Sequence, residues 1–188
     1  MKILSLLGSP RKKGNTAYAL NYLEEQLKQM NHEIKHIHVP SLSIEGCREC
    51  FWCKRAGSFL CSNKDDDGMS VLKDMIKSDG IIFSAPVFWW GFPAQMKALI
   101  DRMYCLLPPE EKENEYTSLM GGKTTALIVT AGSGIKNNAD ILGLAYKNTV
   151  EFTGCKSAGI VYIAPCSGVE SIDDKVKQQL TQLAQNFK

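Results

Sequence analysis

Two hydrophobic periods alternate along the chain. The run "KILSLL" at 2–7 is nearly all apolar and predicts a buried strand. Behind it Leu20, Leu23, Leu27 and Met30 recur at threes and fours, which predicts one apolar helix stripe. "EIKHIHV" at 33–39 predicts a short second strand with a polar face. "DDDGMSVLKDMIKS" at 65–78 predicts a helix with its acids in the first turn, where the macrodipole favours them. "GIIFSAPV" predicts a third strand, and Pro93 opens a helix striped with Met96, Leu99, Ile100 and Met103. "KTTALIVTA" is a fourth strand, a helix begins near Asn138, and "SAGIVYIA" is a fifth strand. A last helix carries Ile172, Val176, Leu180, Leu183 and Phe187, with Ser171 as its cap and Asp174 three residues on.

Strands alternating with helices predict an α/β fold: a three-layer, doubly wound, five-stranded parallel sheet. Right-handed crossovers leave few orders, and 2-1-3-4-5 suits a polar second strand, because it puts that strand on an edge. Residues 1–188 read as one domain, without repeat or linker. Two segments interrupt the alternation: a cysteine loop at 46–62 and an excursion at 106–121, "LLPPEEKENEYTSLMG", that reads as a lid or interface segment. Ligands of such sheets bind beyond the carboxyl ends of the strands, so the loops after strands one, three and four carry the search for function.

Composition narrows the partners. Lys and Arg number 22 against 20 Asp and Glu, a net charge of +2, which points to no nucleic-acid partner. Nothing reads as a membrane span or a leader, so no membrane partner and a cytoplasmic location are expected. In a reducing compartment the seven cysteines read as thiols or metal ligands rather than disulfides.

After strand one, "GSPRKKGNT" at 8–16 ends a strand and opens a helix, leaving unpaired backbone amides at a helix N-terminus. That is an anion site, to which Ser9, Asn15 and Thr16 add polar groups and Arg11 a charged fork. A plain solvated turn capped by Asn15 or Thr16 fits the same residues. After strand three, Phe88, Trp89 and Trp90 cannot all be buried together, and they suit either a flat ring or a core or subunit surface. After strand four, Thr130-Ala131-Gly132-Ser133-Gly134 offers small residues and exposed amides to the polar edge of such a ring. Two look-alikes fail. "GGKTT" at 121–125 has Thr117 where a P-loop needs glycine, and "GSGIKN" at 132–137 has Asn137 in place of the third glycine of a dinucleotide fingerprint.

"GSPRKKGNT", "APVFWWGFPAQMKALIDR" and "TAGSG" together resemble the NADPH-dependent FMN reductase-like flavoproteins, which have a flavodoxin-like fold. "GCRECFWC" with Cys61 and the following "DDGM" resembles their iron–sulfur flavoprotein branch. The resemblance implies bound FMN. Ser9, Arg11, Asn15 and Thr16 would hold its phosphate near the backbone of Lys13 and Gly14. Pro86, Val87, Phe88 and Trp89 would flank the isoalloxazine, and Thr130, Gly132 and Ser133 its rim. The family usually carries tyrosine where Phe88 stands, so no role of that hydroxyl transfers. Lys97, Asp101 and Arg102 match a family helix and read as structural, with an ion pair among them.

Cys47, Cys50, Cys53 and Cys61 form C-x2-C-x2-C-x7-C. Three readings stay open: ligands of a [4Fe–4S] cluster, a zinc site, or free thiols. Cys105, Cys155 and Cys166 read as small buried hydrophobes. His36 and His38 read as solvated edge positions rather than metal ligands. The expected function is an FMN-dependent oxidoreductase that passes electrons from NAD(P)H or a ferredoxin to a quinone, a flavin or a redox protein. The alternative is a non-enzymatic carrier of the flavodoxin kind. The resemblance further implies a homodimer or larger homo-oligomer.

Overall fold

The computed structural model describes residues 1–55, 61–107 and 118–188. Five strands form one sheet: β1 (Lys2–Leu7), β2 (Glu33–His38), β3 (Gly80–Pro86), β4 (Thr124–Thr130) and β5 (Lys156–Ile163). Every pairing is parallel and the order is β2-β1-β3-β4-β5, the flavodoxin-like order. The strands are joined by α1 (Asn15–Gln29), α2 (Trp52–Arg55), α3 (Gly68–Lys77), α4 (Ala94–Arg102), α5 (Asp140–Phe152) and α6 (Asp174–Gln185). Of these only the four-residue α2 has no counterpart in the hydrophobic pattern, because it buries nothing.

The period of two along each strand splits the core. Leu4, Leu6, Ile81, Phe83, Leu127 and Val129 face α3, α4 and α5, packing on Leu72, Met96, Leu99 and Leu142. Ile3, Leu7, Ile82, Ile128 and Val161 face α1 and α6, packing on Leu20, Leu23, Leu27, Leu180 and Leu183. Burial on both faces explains why the inner strands read as continuous apolar runs. Ser5 is the polar exception in β1. Its hydroxyl donates to buried Glu24 of α1 at 2.5 Å, and Glu24 also bonds His36 Nδ1 at 2.7 Å.

Four end-of-element expectations need correcting. Met30 lies one residue beyond α1 and is exposed, because the Met30 amide already closes the helix on the Gln26 and Leu27 carbonyls. The acids at 65–67 precede α3 rather than filling its first turn, since Asp66 and Asp67 are engaged by the 43–45 backbone. The cap of α6 is Asp173, which accepts the Val176 amide at 2.9 Å, while Ser171 ends a separate 3-10 turn. One irregular turn at 135–139 precedes α5, and Asp140 takes the Asn137 and Asn138 amides at 3.0 and 2.9 Å.

Most of the expected excursion, 108–117, lies outside the described residues. Its flanks are anchored: Leu106 and Leu107 are buried, and the Leu119 amide returns to the Leu106 carbonyl at 2.9 Å. No helix among the described residues is long and apolar enough to cross a membrane.

Candidate functional site

At the carboxyl edge, where β1 and β3 lie side by side and their connections diverge, a cavity of about 240 Å³ opens. Its floor is built by packing. The Gly8 amide bonds the Ser84 carbonyl at 2.7 Å, and a Cβ on Gly8 would stand 2.9 Å from Met96 Cε. The same Cβ would stand 3.0 Å from the Ser84 carbonyl oxygen, which as backbone gives way less easily than the tip of Met96. Glycine therefore suits the close approach of the chain to β3 here.

Ser9 is buried, and its Oγ accepts the Arg11 amide at 3.2 Å. The N-cap of α1 is Gly14, in extended backbone with no side-chain cap, so neither Asn15 nor Thr16 blocks the helix end. The first-turn amides stay free of a capping side chain, with the positive end of the dipole behind them. Thr16 instead reaches across the cavity: its hydroxyl meets that of Thr130 at 2.7 Å, and both residues are buried. The loops after β1 and β4 are thus tied together. The loop after β3 joins them through the Val87 amide, which donates to the Thr130 carbonyl at 2.8 Å.

The cavity brings together Ser9, Arg11, Gly14, Asn15 and Thr16 from the first loop. Pro86, Val87 and Phe88 come from the second, and Thr130 and Gly132 from the third. Lys13, Trp89 and Ser133 are exposed nearby and do not line it. Pro10, Ala131 and Cys166 line it without having been singled out. Cys166 follows β5 and is held there by its amide, which donates to the Ala131 carbonyl at 2.8 Å. Its place directly behind a strand's carboxyl end was the available signal.

His38 corrects the expectation of a solvated edge histidine. Its Nε2 donates to the Ser9 carbonyl at 2.9 Å, and its Nδ1 lies 2.5 Å from the Ser41 hydroxyl in a second hydrogen bond. His36, more exposed, bonds Glu24. Lys123 of the false P-loop lies at the opposite edge of the sheet, donating to the Ile76 and Ser78 carbonyls.

The aromatic loop is a tight hairpin. Phe88 and Gly91 exchange two backbone hydrogen bonds of 3.0 Å, and the two residues between them have positive φ: Trp89 at 48° and Trp90 at 60°. That is the geometry of a turn usually filled by Asn-Gly. Bulky residues there cost on the order of 1–3 kcal/mol each. Trp90 Nε1 donates to the Asn137 carbonyl at 3.2 Å, while Trp89 is 90% exposed.

A second cavity, about 520 Å³, is lined by Cys47, Cys50, Cys53 and Cys61 together with Arg102, Tyr104 and Cys105. The Arg102 side chain is fully buried. Its guanidinium pairs with Asp66 and donates to the Glu45 and Asn63 carbonyls at 3.3 and 2.8 Å. Its Nε has no hydrogen-bond partner among the described residues. Burial pushes the Asp66 carboxyl up, but hydrogen bonds from Arg102 and the Glu45 amide outweigh it and hold the group below the ordinary range. The expected ion pair of this helix is between Lys97 and Asp101, exposed and 2.6 Å apart; Arg102 turns inward instead.

The cysteines differ in state. The Ser62 hydroxyl and the Trp52 amide lower the Cys50 thiol. Burial raises that of Cys53, and burial with neighbouring Cys61 and Cys53 pushes Cys105 up to about 12. Cys105 is therefore a wall of the cysteine cavity as well as a buried residue. The donor types suit a thiolate-bound cluster. Their placement does not: among the described residues no three metal-ligating side chains converge on one point.

The family model for NADPH-dependent FMN reductase matches residues 1–148. An iron–sulfur flavoprotein of Archaeoglobus fulgidus is 35% identical over 135 residues, covering 71% of this chain and 56% of that protein. One from Methanocaldococcus jannaschii is 34% identical over 114 residues, 60% of this chain and 55% of that protein. The chain thus spans about half the length of these curated relatives. Among solved structures, an FMN-dependent NADH-azoreductase from Bacillus anthracis in complex with FMN superposes with a TM-score of 0.72 at 13% identity, covering 98% of both chains. An apo NADH:FMN oxidoreductase gives 0.69 at 18% identity, covering 99% of this chain and 87% of that one. At such identities the likeness concerns the fold.

Proposed function

The chain belongs to the NADPH-dependent FMN reductase family, and from that premise we propose that it binds FMN in the carboxyl-edge cavity and passes electrons from NAD(P)H to a quinone, a flavin or a redox-protein acceptor. One observation carries the reading: an uncapped helix N-terminus, two buried hydroxyls and an aromatic loop converge on one cavity. When bound, FMN supplies the hydride and electron chemistry.

The chain's own work is binding and orientation. Ser9, Arg11, Asn15 and Thr16 hold the phosphate, with the backbone of Lys13 and Gly14 beside them, and the amides at the start of α1 neutralise part of its charge. The Thr16–Thr130 bond sets the spacing between the phosphate loop and the ring's edge at Thr130 and Gly132. Phe88, on its hairpin, presents a face to the ring without a hydroxyl, and Pro86 and Val87 exclude water beside it.

A second reading adds a [4Fe–4S] cluster on Cys47, Cys50, Cys53 and Cys61. The relatives' name and the common cavity support it, while the lack of convergence among the sulfurs weighs against it. Homodimerisation is proposed as well, with support from the exposed Ile141, Leu144 and Phe152 on α5. The test is an absorption spectrum of protein purified without oxygen, with iron and sulfide assayed on the same sample, followed by mixing with NADPH. Flavin bands that bleach rapidly are expected. Flavin without bleaching supports a carrier, and failure to bind added FMN overturns the reading. About four irons per chain are expected of the cluster reading, and none overturns it.

A further inference from the structure

A loop that holds an anion has to turn its amides inward and its carbonyls elsewhere, because a carbonyl oxygen repels a phosphate. The Ser9–Pro10 peptide is the awkward member of the first loop. Proline has no amide hydrogen, so this peptide can offer an anion only its oxygen. Two neighbouring carbonyls are turned away by backbone: that of Arg11 accepts the Gly14 amide at 3.2 Å, and that of Gly14 the Tyr18 amide at 2.9 Å. The Ser9 carbonyl is turned away by a side chain instead. It accepts from His38 Nε2 at 2.9 Å, across 29 residues of sequence. His38 ends β2 and pairs with Leu7 at the end of the β1–β2 ladder, so it stands beside the point where β1 gives way to the loop. Ser41, in the 3-10 turn that follows β2, meets the other ring nitrogen at 2.5 Å. The imidazole is thus held at both nitrogens. Because a peptide is planar, fixing the Ser9 oxygen also fixes the plane of Ser9–Pro10, and both residues line the carboxyl-edge cavity.

We propose that His38 is a positioning residue for the phosphate end of the cavity, and that it makes the site prefer FMN to riboflavin, the same flavin without its phosphate. The inference rests on the FMN reading above and adds a residue that does not itself line the cavity. His38 acts through Ser9: it keeps an oxygen that can only repel an anion turned toward the edge strand. Without that donor the Ser9–Pro10 peptide is free to bring its oxygen to the phosphate position. Riboflavin places no anion there and is indifferent to the change.

The experiment titrates FMN and riboflavin separately into the full chain freed of flavin, following flavin fluorescence, in wild type, His38→Ala, His38→Gln and Ser41→Ala. Wild type is expected to bind FMN more tightly than riboflavin. His38→Ala should weaken FMN about three- to five-fold, the scale of one ordinary hydrogen bond, and leave riboflavin within about two-fold, so the ratio of the two affinities falls. His38→Gln, whose amide can donate in place of Nε2, should restore most of that ratio. Ser41→Ala loosens the ring without removing it and should lower the ratio about two-fold; Ser41 is exposed, so this variant keeps the test open if His38→Ala fails to fold. An equal loss of both flavins in His38→Ala overturns the inference, by making the histidine a general prop of the fold. An unchanged ratio in the variants overturns it, and so does a His38→Gln that behaves like His38→Ala, since the ring's bulk and not its hydrogen bond would then matter. Wild-type protein that binds both flavins equally overturns the placing of the phosphate in the first loop together with this inference. Wild-type protein that binds neither overturns the FMN reading itself.

Discussion

The loop after β1 and the loop after β2 both carry dense motifs, yet the fold completes them in different ways. The first, "GSPRKKGNT", delivers its polar groups to one cavity because backbone does most of the aiming: a strand ends, a helix begins, and the amides point where the axis points. The second, with Cys47, Cys50, Cys53 and Cys61, relies on side chains carried by irregular chain and a four-residue helix. Its sulfurs share a cavity without meeting. Regular structure converts sequence spacing into geometry; an irregular loop does so only when something else organises it.

Arg102 lines the cysteine cavity and is held by Asp66 behind it, and this pair is where the comparison can be broken most severely. Asp66→Asn leaves the Arg102 charge buried without its partner, which should cost roughly 3–5 kcal/mol in urea unfolding. FMN affinity of the folded variant should barely change if the two cavities are independent. The pH dependence has a definite sign. The Asp66 carboxyl is held below its ordinary value, so its contribution is present above the unfolded value, about 3.9, and is lost as pH falls through the lower folded one. Asp66→Asn should flatten stability in that acid window.

The carboxyl-edge site should respond in binding rather than stability. Thr16→Val removes a hydroxyl beside the phosphate position and strands that of Thr130; about a ten-fold loss of FMN affinity is expected by flavin fluorescence titration. His38→Ala, which frees the Ser9 carbonyl from a distance, should weaken FMN about three- to five-fold, roughly the worth of one ordinary hydrogen bond. An effect as large as that of Thr16→Val would mean that the edge strand shapes the cradle more than its hydrogen bonding suggests. The smallest effect is expected from Lys97→Ala. Its exposed pair with Asp101 should be worth no more than about 0.5 kcal/mol by urea midpoint, although it shares a helix with Arg102.

The legibility of the two sites follows the same division. Ser9, Arg11, Gly14, Asn15 and Thr16 were readable because they sit where a strand gives way to a helix. Cys166 was not, since the loop after β5 carries no motif and its part in the cavity depends on a hydrogen bond to Ala131. His38 looked like a solvated edge residue because period alone cannot say that an edge strand borders the first loop. Arg102 read as structural, one of three residues with an ion pair among them; its inward turn to Asp66, 36 residues away in sequence, is invisible to local spacing.

The sequence by itself determined the strands, every helix but the short α2 and, through a polar second strand, the order of the sheet. Hydrophobic period and helix-capping chemistry are local, and local rules suffice for elements whose hydrogen bonds close within a few residues or along one ladder. The tertiary structure alone decided which loops meet: Thr16 with Thr130, Val87 with Thr130, Arg102 with Asp66. It also decided that Phe88 turns into the cavity while Trp89 stays out in water. Such contacts join residues far apart in the chain. They form only after the sheet has packed on both faces and fixed where each strand ends.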